Sequence, residues 1–168
     1  MKTIANNTQK QILTIMAGIP RSGKSTWIEK NKTLQDIIVS PDIIRKEIFG
    51  HQFFKPCEPF IWAFTDAFIL LLAQQKKSII LDAVNMTSYV RNKYITIVEP
   101  YGYKTKLVWI NTDLKECIKR NETSKDKKVP LNVIKSMCAG FRPIDEEYED
   151  DNFDEIIEVK NGKNIKIK

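Results

Sequence analysis

Nine residues, GIPRSGKST from Gly18 to Thr26, restrict the fold of this chain more than any other stretch. They follow the apolar run Ile12-Leu13-Thr14-Ile15-Met16-Ala17 and precede Trp27-Ile28-Glu29-Lys30. Glycine, four residues, glycine, lysine and serine therefore lie between an expected buried strand and an expected helix, which is the setting of a phosphate-binding loop. Gly18 and Gly23 let the backbone pass close to phosphate oxygens. The successive N–H groups through Arg21, Ser22, Gly23, Lys24, Ser25 and Thr26 converge on an anion at a helix start, where the helix dipole favours negative charge. Lys24 adds a point charge on the terminal phosphates, and Ser25 an oxygen for magnesium.

The chain has 168 residues, enough for one domain with a real core, and 42% hydrophobic and 29% charged residues are ordinary for a soluble globular protein. A single domain spanning residues 1–168 is expected, with 1–11 a frayed start. Cys57, Cys117 and Cys138 are odd in number and widely spaced, which argues against a disulfide framework or a zinc site and for buried thiols in a reducing cytoplasm. The N-terminus lacks an apolar segment of signal-peptide length, and the tract from Ile69 to Ala73 is too short to span a bilayer, so a cytoplasmic protein without a membrane partner is expected. The net charge of +6 raises encounter rates with polyanions but identifies no site. Its distribution says more: basic residues crowd Lys115 to Lys128, whereas Asp145 to Asp151 is acidic.

In chain order, strands are expected at about Ile12–Ala17, Ile37–Val39, Ser78–Leu81 and Lys104–Ile110. Helices are expected from the phosphate loop to Asn31, from Pro41 to Phe49 with Ser40 as cap and Gly50 as stop, from Glu58 to Gln75, from Thr87 or Ser88 to Pro100, from near Asp113, and from Val129-Pro130 to Ala139. The helix from Glu58 is apolar over most of its circumference, which predicts burial between sheet and surface. The tail reads as two strands joined at Asn161-Gly162, a hairpin turn pair. Alternating strands and helices make an α/β three-layer sandwich of the P-loop NTPase type: a central, parallel sheet of about five strands, helices on both faces and a C-terminal hairpin. In such sheets ligands lie beyond the carboxyl ends of the strands, where Lys24, Asp42 and Asp82 should meet.

Asp42 and Arg45 are three apart and share a helix face. Asp42 reads either as a favourable charge at a helix N-terminus or as the base that accepts a proton from an attacking hydroxyl, and on the second reading Arg45 would hold an anionic part of the acceptor. Asp82 ends SIILDAVN as a magnesium-associated aspartate beside Ser25, or as a turn former with Asn85 closing the loop; Asn85 serves both readings. The polar stretch KRNETSKDKK, from Lys119 to Lys128, reads either as a solvated loop or as a basic lid over the transferring phosphate.

ILTIMAGIPRSGKSTW, PDIIR, LDAVN, CIKRNETSKDKKVPLNVIKSM and FRPIDEEYEDDNFDEIIEV together resemble the kinase domain of phage-type polynucleotide 5′-hydroxyl kinases and their wider P-loop kinase family, from about Ile12 to Val159. The resemblance implies transfer of the ATP γ-phosphate to a 5′-hydroxyl of DNA or RNA, with Asp42 as base and Arg45 on the nucleic-acid phosphate. It further implies Lys24 and Ser25 on ATP and magnesium, and Arg120 in the lid. Two departures stand out. The lid arginine usual four residues after Arg120 is Ser124 here, leaving Lys125 or Lys127 to substitute without a forked contact. No segment matches the phage enzymes' phosphatase domain, so a kinase alone is expected. A kinase for a small-molecule hydroxyl shares the loop and the base, and would differ at Arg45 and at Phe53, Phe54, Phe60 and Trp62, rings that could stack bases or belong to core. A nucleotide-dependent binding switch needs no acceptor base.

Overall fold

Alternating apolar residues assign the strands their two faces. In β1 (Ile12–Ala17), Leu13, Ile15 and Ala17 point to one side and Met16 to the other; in β4 (Lys104–Asn111), Leu107 and Trp109 oppose Val108 and Ile110. With β2 (Asp36–Val39), β3 (Ser78–Leu81), β5 (Glu155–Lys160) and β6 (Lys163–Lys166) they form one six-stranded sheet in the order β2-β3-β1-β4-β5-β6. β1 to β5 pair in parallel, and β6 runs antiparallel to β5. This computed structural model describes residues 10–50, 53–125, 128–141, 144 and 152–168. Of the expected frayed start 1–11, residues 1–9 lie outside the described residues, as do the acidic stretch 145–151 and Lys127.

Both faces of the sheet are covered, as the strand–helix alternation requires. On one side α3 (Glu58–Gln74) and α4 (Ser88–Val98) bury Ile69, Leu72, Ala73, Tyr94 and Val98 against β1, β3 and β4. On the other, α1 (Lys24–Asn31) packs Ile28 and Trp27 on Met16, Ile80, Val108, Ile110, Ile157 and Val159. α2 (Pro41–Phe49) follows β2 directly, and α5 (Leu114–Thr123) and α6 (Leu131–Gly140) enclose a small third cluster of Ile19, Cys117 and Ile134 beneath the phosphate loop. The fold is α/β, with a mostly parallel sheet closed by a C-terminal hairpin. Asn161 and Gly162 both take positive φ at the hairpin turn, 52° and 74°, as the pairing of β5 with β6 demands.

Local signals set most helix ends. Thr87 accepts a hydrogen bond from the Val90 N–H at the start of α4. Ser40 occupies the cap position of α2 with Pro41 next, but its hydroxyl makes no cap bond; proline at the first position and left-handed Gly50 at the end bound this helix.

Two expectations need correction. α3 is not buried all round. Ile61, Thr65, Ile69, Leu72 and Ala73 form the buried stripe, while Phe60, Phe64, Leu70 and Leu71 are exposed and Phe60, Phe64 and Phe68 line up in successive ring contacts of 6.3 and 6.1 Å. The outer layer of a three-layer sandwich buries only one stripe of a helix, so an apolar circumference leaves an apolar ridge outside. By length and composition alone the helical stretch Lys55–Gln74 could cross a membrane, unlike the short tract considered from the sequence, yet it packs on the sheet through that buried stripe. The second correction concerns the basic stretch. Lys119 to Thr123 are the last turns of α5 rather than loop, so Arg120 projects from a helix.

Candidate active site

The phosphate loop connects β1 to α1 at the carboxyl edge of the sheet. Gly18 has φ +146°, and a Cβ there would meet Ser22 Oγ at 2.8 Å and the Ile110 carbonyl at 2.9 Å, so only glycine lets the loop lie on β4. Gly23 at φ +113° and Arg21 at φ +65° complete the turn. The Gly18 N–H donates to the Val84 carbonyl, and Thr112 Oγ1 donates to the Ser22 carbonyl, which ties the loop to the ends of β3 and β4. Lys24 Nζ donates to the Gly18 and Ile19 carbonyls at 2.8 and 3.2 Å. Burial pushes its pKa below the usual lysine range, while Asp82 and then Asp42 pull it back up.

Both carboxylates line the same cleft as the loop lysine. Asp82 follows β3, its N–H bonded to the Val39 carbonyl, and its Oδ2 lies 3.4 Å from Ser25 Oγ. Burial raises the Asp82 pKa, with Lys24 opposing that shift and Asp42 adding to it. Two hard oxygens side by side next to a phosphate loop suit magnesium, which keeps most of its ligands from phosphate and water. Among the described residues no cluster of three or more His, Cys, Asp or Glu could hold a metal alone. Asn85, with φ 47°, reaches back from the same loop so that its Nδ2 donates to the Met16 carbonyl at 2.7 Å, and Arg91 Nη1 donates to the Asn85 carbonyl. Asn85 thus braces β1 against the β3 end. Its Oδ1 and the Ser22 Oγ are buried in the cleft wall without hydrogen-bond partners among the described residues.

Across the cleft, Asp42 stands in the first turn of α2 with 83% of its side chain exposed. Arg45 is the opposite, at 9%. Its Nε and Nη2 donate to the two oxygens of Glu58 at 2.7 Å each, its Nη1 donates to Asp42 Oδ1, and its guanidinium lies 5.9 Å from the centre of the Trp62 ring. Burial opposes this charge, but the Glu58 bonds and the Asp42 charge outweigh it and raise the Arg45 pKa. Of the ring residues, Phe53 and Trp62 line the cleft, whereas Phe54 and Phe60 are exposed. The cleft holds about 1950 Å³, ample for two ligands when a single small-molecule site takes roughly 300–1,000 Å³.

At the far wall, Arg120 Nη1 donates to the Ser22 carbonyl at 2.9 Å and Nε to Glu116. Next to it, Asn121 is buried and was overlooked in the sequence. Its Nδ2 donates to the Val129 carbonyl, its Oδ1 accepts the Val129 N–H, and the same Oδ1 accepts Arg21 Nε at 3.4 Å. One amide thus staples the two ends of the 122–128 segment together and reaches the phosphate loop. Ser124 and Lys128 line the cleft, whereas Lys125 is exposed and is not part of the wall. Asn121→Ala leaves the Val129 N–H and carbonyl unpaired and should lower stability by about 2 kcal/mol in urea titration, with faster tryptic cutting at Lys125 or Lys128. Unchanged unfolding and cutting would remove the staple.

A family profile for the AAA domain matches residues 13–144, most of the chain. The chain belongs to that family. Solved structures share the fold of this AAA domain at low identity. One chain in the Pnkp1/Rnl/Hen1 RNA repair complex superposes with a TM-score of 0.69 at 22% identity, covering 98% of this chain and 51% of that one. A chain from the PezAT chromosomal toxin-antitoxin system of Streptococcus pneumoniae gives 0.69 at 15%, covering 96% and 72%. The APS kinase CysC of Mycobacterium tuberculosis, in complex with AMPPNP and APS, gives 0.51 at 16%, covering 68% and 70%. The AAA domain described here therefore has a P-loop kinase-like fold. It spans about half the length of the repair-complex chains, at 51% and 43%.

Proposed function

We propose that this AAA domain is an ATP-dependent kinase that transfers the γ-phosphate to the 5′-hydroxyl end of DNA or RNA, single-stranded or frayed. The observation that carries the reading is that Lys24, Asp82 and Asp42 line one cleft, with Ser25 Oγ 3.4 Å from Asp82 Oδ2. A phosphate loop facing an exposed carboxylate supplies what phosphoryl transfer to a hydroxyl needs, namely positioning, charge compensation and a proton acceptor. The acceptor oxygen bonds to the γ-phosphorus, the bond from that phosphorus to its bridging oxygen breaks, ADP leaves, and the hydroxyl proton passes to Asp42. Lys24 and Arg120 supply cations at the loop, the N–H groups from Arg21 to Thr26 hold the phosphates, and Asn85, in the wall of the same cleft, would meet the acceptor. Ser25 and Asp82 would hold magnesium, which when bound neutralises phosphate charge. The structural similarity to a chain of an RNA repair complex supports a nucleic-acid acceptor.

One observation favours a second reading, a kinase for a small-molecule hydroxyl. Arg45 gives its fork to Glu58, so the Asp42–Arg45–Glu58 cluster carries two carboxylates to one guanidinium and attracts an acceptor phosphate weakly. Labelled γ-phosphate offered with 5′-hydroxyl DNA, 5′-hydroxyl RNA, nucleosides, nucleoside 3′-monophosphates and sugars separates the two. The nucleic-acid reading expects labelled 5′ ends, with the nucleoside 3′-monophosphate the smallest good acceptor. Equal use of nucleosides with and without the 3′-phosphate, and none of oligonucleotides, would move the assignment to a small molecule.

A further inference from the structure

Arg45 is enclosed on three sides. Glu58, 18% exposed, takes one edge of the guanidinium through two bonds, Trp62 covers a face, and Asp42 takes Nη1. From these contacts we infer that Glu58 is a positioning residue for Asp42, acting through Arg45, and that Arg45 is a strut before it is a phosphate contact. The inference rests on the reading of Asp42 as the proton acceptor.

The sequence of forces runs inward from α3 to α2. Glu58 opens α3, which is buried at Ile61 and Thr65 and packs on the sheet through Ile69, Leu72 and Ala73, so its carboxylate stands on an anchored helix. A two-point carboxylate–guanidinium contact fixes orientation as well as distance, which a single contact does not. Arg45 so held presents Nη1 to a side chain that is otherwise in solvent and free to change rotamer. Asp42 is thereby aimed by a partner thirteen residues before Glu58, while its second oxygen stays open toward the cleft. Glu58 also shares the guanidinium charge. Without it Arg45 would turn wholly to Asp42 or swing toward the cleft, and in either case the base would lose its set position.

Glu58→Gln keeps the shape and removes the charge and one of the two acceptor points. On whichever acceptor the wild-type protein phosphorylates, turnover should fall by about 10²-fold, the scale of a misplacement of roughly 1 Å, with ATP affinity unchanged. The released fork should raise preference for the 3′-phosphorylated acceptor over the unphosphorylated one. Glu58 also lies in the first turn of α3, where a carboxylate favours the helix whatever Arg45 does. A double-mutant cycle separates the roles: in an Arg45→Ala background Glu58→Gln should cost little further turnover, whereas a helix-end role would stay additive. Nitrogen NMR of the Arg45 Nε–H gives a readout without substrate, slow exchange in the wild type and fast exchange in Glu58→Gln, and Glu58→Asp serves should the glutamine variant unfold. Additive losses, or an Nε–H equally protected in the variant, would overturn the inference. Failure of wild-type transfer to 5′ ends would instead overturn the assigned substrate, leaving the Nε–H measurement to decide the strut.

Discussion

Lys24→Ala should cut phosphate transfer by about 10³-fold while the domain stays folded. The ammonium is bonded to the loop carbonyls of Gly18 and Ile19 and lines the cleft with Asp82, so on the proposed reading it compensates the charge of the terminal phosphates. Phosphoryl transfer offers a protein little covalent work, and removing one fixed charge from such a site typically costs 10²–10³ in rate. Folding should survive because the partners of Nζ are loop carbonyls in the cleft wall and burial of the ammonium, which pushes its pKa down, is itself unfavourable. The expected change in stability is less than about 1 kcal/mol by thermal unfolding. Activity within tenfold of wild type would show that another group compensates the phosphate charge.

Asp42→Asn separates chemistry from binding. The amide keeps the shape, still accepts the Arg45 Nη1 bond through its oxygen, and cannot take a proton at neutral pH. Turnover should fall by about 10²-fold or more, the upper range for a lost general base, with ATP affinity within twofold of wild type by calorimetry. Among the described residues the hydrogen-bond partner of Asp42 is Arg45, across the cleft from the loop. A collapse in ATP affinity would make Asp42 a nucleotide contact and would falsify its role as base.

Features carried by neighbours in sequence were legible beforehand. The phosphate loop is a contiguous string with its strand and helix attached, α2 is bounded by Pro41 and Gly50, Thr87 caps α4, and the Asn161-Gly162 turn fixes the last hairpin. Asp42 and Arg45 were paired because residues three apart on a helix must be neighbours. What escaped were pairs made by packing between elements. Glu58 meets Arg45 only because α3 crosses α2, and no periodicity marks a carboxylate thirteen residues away. Asn121 was hidden in a run that looked merely polar; its side chain substitutes for backbone pairing across a chain reversal, and a polar residue buried for that purpose resembles an exposed one in composition. The outer ridge of α3 was misjudged for a third reason: apolar content measures what a helix can bury, while the number of layers around it decides what it does bury.

The Asn121 amide makes a cassette of the stretch between α5 and α6. Because both rims are clipped to one side chain, the chain length between them can vary without changing where Arg120 or α6 sits, since adding residues to a closed loop costs entropy only logarithmically. Grafting a longer or differently charged cassette at that position is then a route to altering how the cleft treats its ligands with β1, β3 and β4 untouched. A reporter dye at Lys125, exposed outside the cleft wall yet within a few residues of Ser124 and Lys128, would follow occupancy of the site from beside it.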